Sequence, residues 1–186
     1  MLALGACGQA REGFLNAPPL GSQTNPARIA GAWSVTGSLK TPRVQPMAVT
    51  LSNGRVLVAG GLDNNNHEIA SAELYDPKTG RWSRTAHMSQ PRVLATMTLL
   101  QNKSVLVAGG QTPTGLTNSA EIYNPSTRRW ASTGSMGIPR ASHTATLLSN
   151  GRVLVAGGSN SSSSGGIASA EVYDPVVGKW SATGAM

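Results

Sequence analysis

The chain has 186 residues, 22 of them glycine and 11 proline, and aromatic residues make up only 4%. That length suits one ordinary domain, and the glycine and proline content stays below the level of a disordered low-complexity chain. The formal net charge of +7 raises nucleic acid as a partner. However, Arg128 and Arg129 are the sole adjacent bases and no aromatic stacking platform accompanies them, so the charge reads as scattered surface charge and nucleic acid is not expected.

At the N-terminus, Leu4-Gly5-Ala6-Cys7 resembles the lipobox of bacterial lipoproteins. In such proteins a small residue before cysteine marks cleavage, and the cysteine is then lipidated. The resemblance implies a truncated signal peptide over residues 1–7 and lipidation at Cys7. It also implies an exported protein, membrane-anchored or otherwise periplasmic or extracellular. A secretory signal needs a basic start and an apolar core of 7–15 residues, whereas only six residues precede Cys7 and none is Lys or Arg. Either the start lies inside a longer signal peptide or the match is chance. The first is preferred, because the one cysteine falls where a tether begins. Residues 8–28, rich in Gly, Pro, Asn, Gln and Ser, read as that flexible tether. A lone cysteine leaves no internal disulfide, and no run reaches the ~18 apolar residues of a membrane-spanning helix.

From residue 29 onward the sequence repeats. Trp33, Trp82, Trp130 and Trp180 stand 49, 48 and 50 residues apart. Gly60-Gly61, Gly109-Gly110 and Gly157-Gly158 keep step with them. So do Arg43, Arg92 and Arg140, each after a proline, and Glu73, Glu121 and Glu171, each two residues before a tyrosine. A period near fifty of short apolar runs marks stacked β modules.

The first element is a Trp-bearing strand over 32–36. Three four-stranded antiparallel blades follow, at about 42–85, 91–133 and 139–183. The opening strand of each blade, about 45–52, 94–101 and 142–149, alternates Thr with apolar residues and so predicts a half-buried strand. The second strand, 55–60 and its copies 104–109 and 152–157, is a short continuous apolar run suited to packing on both faces. Asn53-Gly54, Asn102-Lys103 and Asn150-Gly151 join these two strands and predict two-residue hairpins with positive φ at both positions. Arg55, Lys103 and Arg152 are taken as one register. The third strand, 71–75, 119–123 and 169–173, ends in Asp-Pro or Asn-Pro, which starts a tight turn. The fourth strand carries Trp82, Trp130 or Trp180.

A four-stranded module of this length, with its Gly-Gly doublet, Glu-x-Tyr and Trp, resembles a kelch repeat, one blade of a β-propeller. The fold is therefore all-β, with three kelch-type blades plus the N-terminal Trp strand. Closed propellers of six or seven blades at this period need ~290–340 residues. Further blades after Met186 are expected, with pairing of two copies into one ring as the alternative. Three blades alone would present broad faces prone to association.

Loops from strand two to strand three emerge on one face of such a module and the short turns on the other. From the second Gly of the doublet to the Ala of Ala-Glu these loops span 11, 10 and 12 residues and share little sequence. An invariant frame with variable loops is how propellers present binding surfaces. The candidate binding residues are Asp63, Asn64, Asn65, Asn66 and His67 in the first loop, Thr112, Thr114 and Asn118 in the second, and Asn160, Ser161 and Ser162 in the third. Their neutral hydrogen-bonding groups suit a protein or glycan partner. Arg43, Arg92 and Arg140 are expected to pair with Glu73, Glu121 and Glu171 within each blade, partly buried and bidentate, with the Gly-Gly doublet leaving room for the approach.

The architecture also resembles that of two enzyme families. Galactose oxidase relatives, kelch copper enzymes, rely on a Tyr–Cys crosslink and His ligands. Cys7 lies in the leader, and His67, His87 and His143 sit in three different registers without metal-ligand spacing. Sialic-acid mutarotases share the architecture, and Asp63, Glu68, His67 and His87 would be the acid–base candidates for that chemistry, but no signature accompanies them. The reading is a non-catalytic surface or periplasmic scaffold, with no cofactor, no metal and no catalytic residue assigned. Its membrane contact would come only through a lipid on Cys7. The alternative is a sugar-modifying kelch enzyme with its active residues in other blades.

Overall fold

The computed structural model describes residues 33–160 and 166–184, so Cys7, the tether over 8–28, and Ser161 and Ser162 lie outside the described residues. Each repeat folds into one four-stranded antiparallel sheet. The first contains β1 (Met47–Thr50), β2 (Val56–Ala59), β3 (Ala72–Asp76) and β4 (Arg81–Thr85). The second contains β5 (Thr96–Leu99), β6 (Val105–Ala108), β9 (Ala120–Asn124) and β10 (Arg129–Thr133). Between β6 and β9 a loop ladder adds β7 (Gln111–Thr112) and β8 (Gly115–Leu116). The third contains β11 (Thr144–Leu147), β12 (Val153–Ala156), β13 (Ala170–Asp174) and β14 (Lys179–Ala182). Strands pair strictly in sequence order within each blade, and β1, β5 and β11 lie side by side along the inner edge.

The core lies between blades, and the second strand of each blade shows why. Val-Leu-Val-Ala alternates its side chains, so Val105 and Val107 face the first blade with Leu57, Leu74 and Tyr123. Leu106 and Ala108 face the third blade with Val153, Val155 and Tyr173. A strand apolar on both sides is stable here because both sides are covered. Met88 and Met136, on the links between blades, are buried in the same two layers.

Gly60 and Gly109 hold φ of +66° and +65°, and a Cβ on either would meet the backbone carbonyl of Arg92 or Arg140 in the next blade. Gly61 and Gly110 donate their N–H groups to those same two carbonyls, at 3.0 and 2.9 Å. The doublet thus serves close passage between blades and left-handed backbone, not clearance for the Arg–Glu pair.

The hairpins between first and second strands are three-residue loops rather than two-residue ones. Gly54 N–H bonds Leu51 O at 2.9 Å, only Gly54 (φ 81°) adopts the left-handed form, and Lys103 and Gly151 repeat it at 69° and 83°. Asn53, Asn102 and Asn150 serve by accepting the N–H two residues on, at 3.0–3.1 Å. The register shifts accordingly: Lys103 matches Gly54 and Gly151, while Ser104 matches Arg55 and Arg152. Finally, residues 33–36 form no strand, and Trp33 is fully exposed. Just after this stretch, Gly37 N–H donates to Gly80 O at 3.0 Å, an isolated link rather than a ladder.

Candidate functional site

Three arginines close the loop end of the blades. The Arg92 guanidinium is fully buried. One arm donates to the carbonyls of Gly109 and Ser119, at 2.9 and 3.1 Å. The other donates to Ser119 Oγ at 3.2 Å and Glu121 Oε1 at 2.9 Å. Arg43 and Arg140 repeat the set on Gly60, Ser71 and Glu73 and on Gly157, Ser169 and Glu171. The expected pairing within each blade is present, but it is buried and single-armed. The second carboxylate oxygen is committed to the interblade link, accepting N–H from Lys40, Ser89 or Gly137 at 2.7, 2.8 and 2.6 Å. Burial raises the Glu73 carboxyl, yet the Lys40 and Thr41 amides and Arg43 outweigh it and hold Glu73 below the usual carboxylate range. Burial also pulls Arg92 below the usual guanidinium value, against the opposing charge of Glu121. These six charges are spent on architecture.

The aromatic register ties blades together in the same direction. Trp130 Nε1–H donates to Ala86 O at 2.8 Å and Trp180 Nε1–H to Gly134 O at 2.7 Å. Tyr123 and Tyr173 hydroxyls meet Thr85 and Thr133 at 2.8 and 2.7 Å. Each tyrosine and tryptophan pack against each other, their centroids about 5 Å apart.

The variable loops rise above this frame, each laid against the residue after its blade's arginine. Leu62 bridges Val44, Gln111 bridges Val93 and Ser159 bridges Ala141. Asp63 is spent on its own loop. Its Oδ1 accepts the Asn65 and His67 amides at 2.8 and 2.9 Å, and the His67 amide first among these holds Asp63 below its ordinary value. Thr112 is buried and accepts from the Thr114 amide, and Asn118 Nδ2–H donates to Met136 O at 2.8 Å. Asn64, Asn65, Asn66, His67, Thr114 and Asn160 are exposed.

Between the second and third loops lies a cleft of about 450 Å³, lined by Leu94, Gln111, Leu116, Pro139, Ser159 and Asn160. Of these, sequence reasoning named only Asn160 as a candidate. Leu94 and Pro139 flank the arginine register, which the sequence pattern marks as frame. Gln111 Nε2–H also reaches Glu68 Oε1 at 3.3 Å, joining the first and second loops.

His143 lies one residue before β11, beneath the loops. It is buried, with Nε2 at 3.0 Å from Thr96 Oγ1 across the blade junction. Burial and then the nearby Arg140 charge lower its pKa to about 4, so it is neutral at ordinary pH. Among the described residues no group of three His, Cys, Asp or Glu side chains converges to hold a metal ion.

Over residues 27–185 the sequence matches the profile of the KLHDC2/KLHL20/DRC7 Kelch-repeats domain. The chain belongs to the kelch-repeat family. Kelch repeat domains are generally binding modules. The solved structure of YjhT superposes with a TM-score of 0.66 at 20% identity, covering 82% of this chain and 54% of that one. This kelch chain therefore spans about half the length of YjhT, and the likeness shows the fold alone. No curated protein sequence matches it.

The opposite, turn end of this kelch module shows that the positive charge is not scattered. Arg55, Lys78 and Arg81 stand there on the first blade, Lys103, Arg128 and Arg129 on the second, and Arg152 and Lys179 on the third. Asp76 and Asp174 are the acids at that end. They pair with Arg55 and Arg152, both at 2.9 Å. Elsewhere in the described residues bases and acids balance, five against five. Sequence order hid this segregation, because the eight bases come from six separate turns.

Proposed function

We propose that this kelch module is a non-catalytic binding scaffold whose variable-loop face takes a protein partner. The observation that carries the reading is the division of labour at that end. The Arg43, Arg92 and Arg140 side chains are buried and paired with Glu73, Glu121 and Glu171, while exposed, neutral Asn and Thr groups flank an amphipathic cleft. Neutral donors and acceptors beside apolar walls suit a polypeptide, whose backbone offers both groups at each residue. Glycans share part of that chemistry and form the comparison arm of the test.

The test is panning of the purified chain against a displayed peptide library and, in parallel, a glycan array. Substituting Leu116→Ser with Asn160→Ala should abolish peptide capture and leave the melting temperature within a degree or two. Retained capture, or capture confined to glycans, would overturn the proposal. Lipidation at Cys7 and an exported location belong to the same reading. An intact mass from the membrane fraction lacking a lipid on that residue would remove them.

A further inference from the structure

The turn end departs from the repeat in one blade, and always in the same electrical direction. The first and third blades place Gly54 and Gly151 in one left-handed turn position, and Gly80 and Gly178 in the other. The second blade fills both with cations, Lys103 at φ 69° and Arg128 at φ 56°. Left-handed backbone suits glycine and disfavours long side chains. The same blade has Asn124 where the others carry Asp76 and Asp174, and Ser104 where they carry Arg55 and Arg152. The outer blades thus hold internal ion pairs at this end, whereas the middle blade has Lys103, Arg128 and Arg129 with no acid in its turns. All three are exposed.

Two clefts join these turns into one surface. Asn53, Lys103, Asn124 and Ser126 line the cleft between the first and second blades. Asn102, Arg152, Asp174 and Val176 line that between the second and third. At its rim Val176 and Val177 stand 91% and 61% exposed, where the first blade has Lys78 and Thr79. Exposed valine costs free energy in water, and this pair stands on the same end of the module as the unpaired cations of the second blade.

We propose that the turn end of this kelch module is a docking surface for an anionic lipid bilayer, distinct from the variable-loop face. Cations at the headgroup plane would gain from the negative surface potential, which acts within about one Debye length. The Val176-Val177 tip would enter the acyl boundary. Valine tips favour a bilayer over a nucleic acid: they partition into hydrocarbon but stack no base, and the Tyr–Trp pairs of the blades are turned onto each other. Docked this way, the variable loops face away from the membrane.

The test is co-sedimentation of the full chain with vesicles of phosphatidylcholine alone and of phosphatidylcholine with phosphatidylglycerol. The chain carries Cys7→Ser, so that no lipid on that residue contributes. Binding is expected to the anionic vesicles only, and to fall as salt rises. Lys103→Gly with Arg128→Gly restores the repeat's own residues, so it should keep or raise the melting temperature while weakening binding about thirtyfold. Val176→Ser with Val177→Ser should weaken binding several-fold without changing its salt dependence. Asn64→Ala, on the other face, should leave vesicle binding and its salt dependence unchanged. Equal sedimentation with neutral vesicles, wild-type binding by the double glycine variant, or capture by a soluble polyanion without vesicle binding would each overturn the proposal.

Discussion

Arg92 is a full charge at zero exposure, held by four acceptors spread over its own blade. Removing one partner of such a pair leaves a buried charge uncompensated, which costs more than the pair itself is worth. Glu121→Gln should therefore destabilise the fold by about 3 kcal/mol, read as a lower denaturation midpoint at unchanged slope. An unaltered midpoint would mean that the backbone carbonyls alone suffice. His143 makes a second prediction at this scale. Its folded value of about 4 lies below the ordinary 6.5, so the unfolded chain takes up a proton that the folded chain refuses. Stability from this residue is complete above about pH 6.5 and is lost as pH falls toward 4, by about 3 kcal/mol in all. His143→Ala, which copies Ala95 of the second blade, should flatten that part of the pH profile. An identical acid profile in the variant would assign the loss to other groups.

At the scale of turns and strands, equivalent positions answer differently to the same kind of change. Gly109→Ala would place a methyl against the Arg140 carbonyl from a left-handed residue, and should destabilise by about 3 kcal/mol or more. Lys103→Gly relieves a left-handed lysine in an open turn and should stabilise by about 1 kcal/mol. Thermal melts of the two variants, moving in opposite directions, check both. The strands were legible in the sequence because Val-Leu-Val-Ala, Glu-x-Tyr and Trp recur with a period of two inside a period near fifty, and burial follows from that alternation. The hairpin type was not, since Asn-Gly serves both two-residue and three-residue loops and only backbone φ separates them. The Arg–Glu pairing could be read from its register. Its single-armed geometry could not, because the second carboxylate oxygen is claimed by main-chain amides such as that of Ser89, which no side-chain pattern announces. The cleft residues Leu94 and Pro139 are illegible for a related reason: their role depends on how the second and third blades meet, which a pattern within one repeat does not encode.

For the molecule as a whole, charge and burial sort by end. One end buries its recurring Arg–Glu pairs beneath loops rich in Asn, Ser and Thr, while the other concentrates unmatched cations on short turns. The ties between blades also run one way. Gly61 and Gly110 give their amide protons to the following blade's arginine carbonyl, and that same arginine closes its own sheet through its side chain. One residue therefore belongs to two blades at once. Solvent deuterium reaches the Gly61 amide only when the first and second blades separate, and the Gly110 amide only when the second and third do. These two protons should exchange far more slowly than their loop position suggests, at rates that report the opening of each junction separately. An alteration at Arg92 would then loosen protection on both sides of the second blade, so the module should come apart as a linked series rather than one blade at a time.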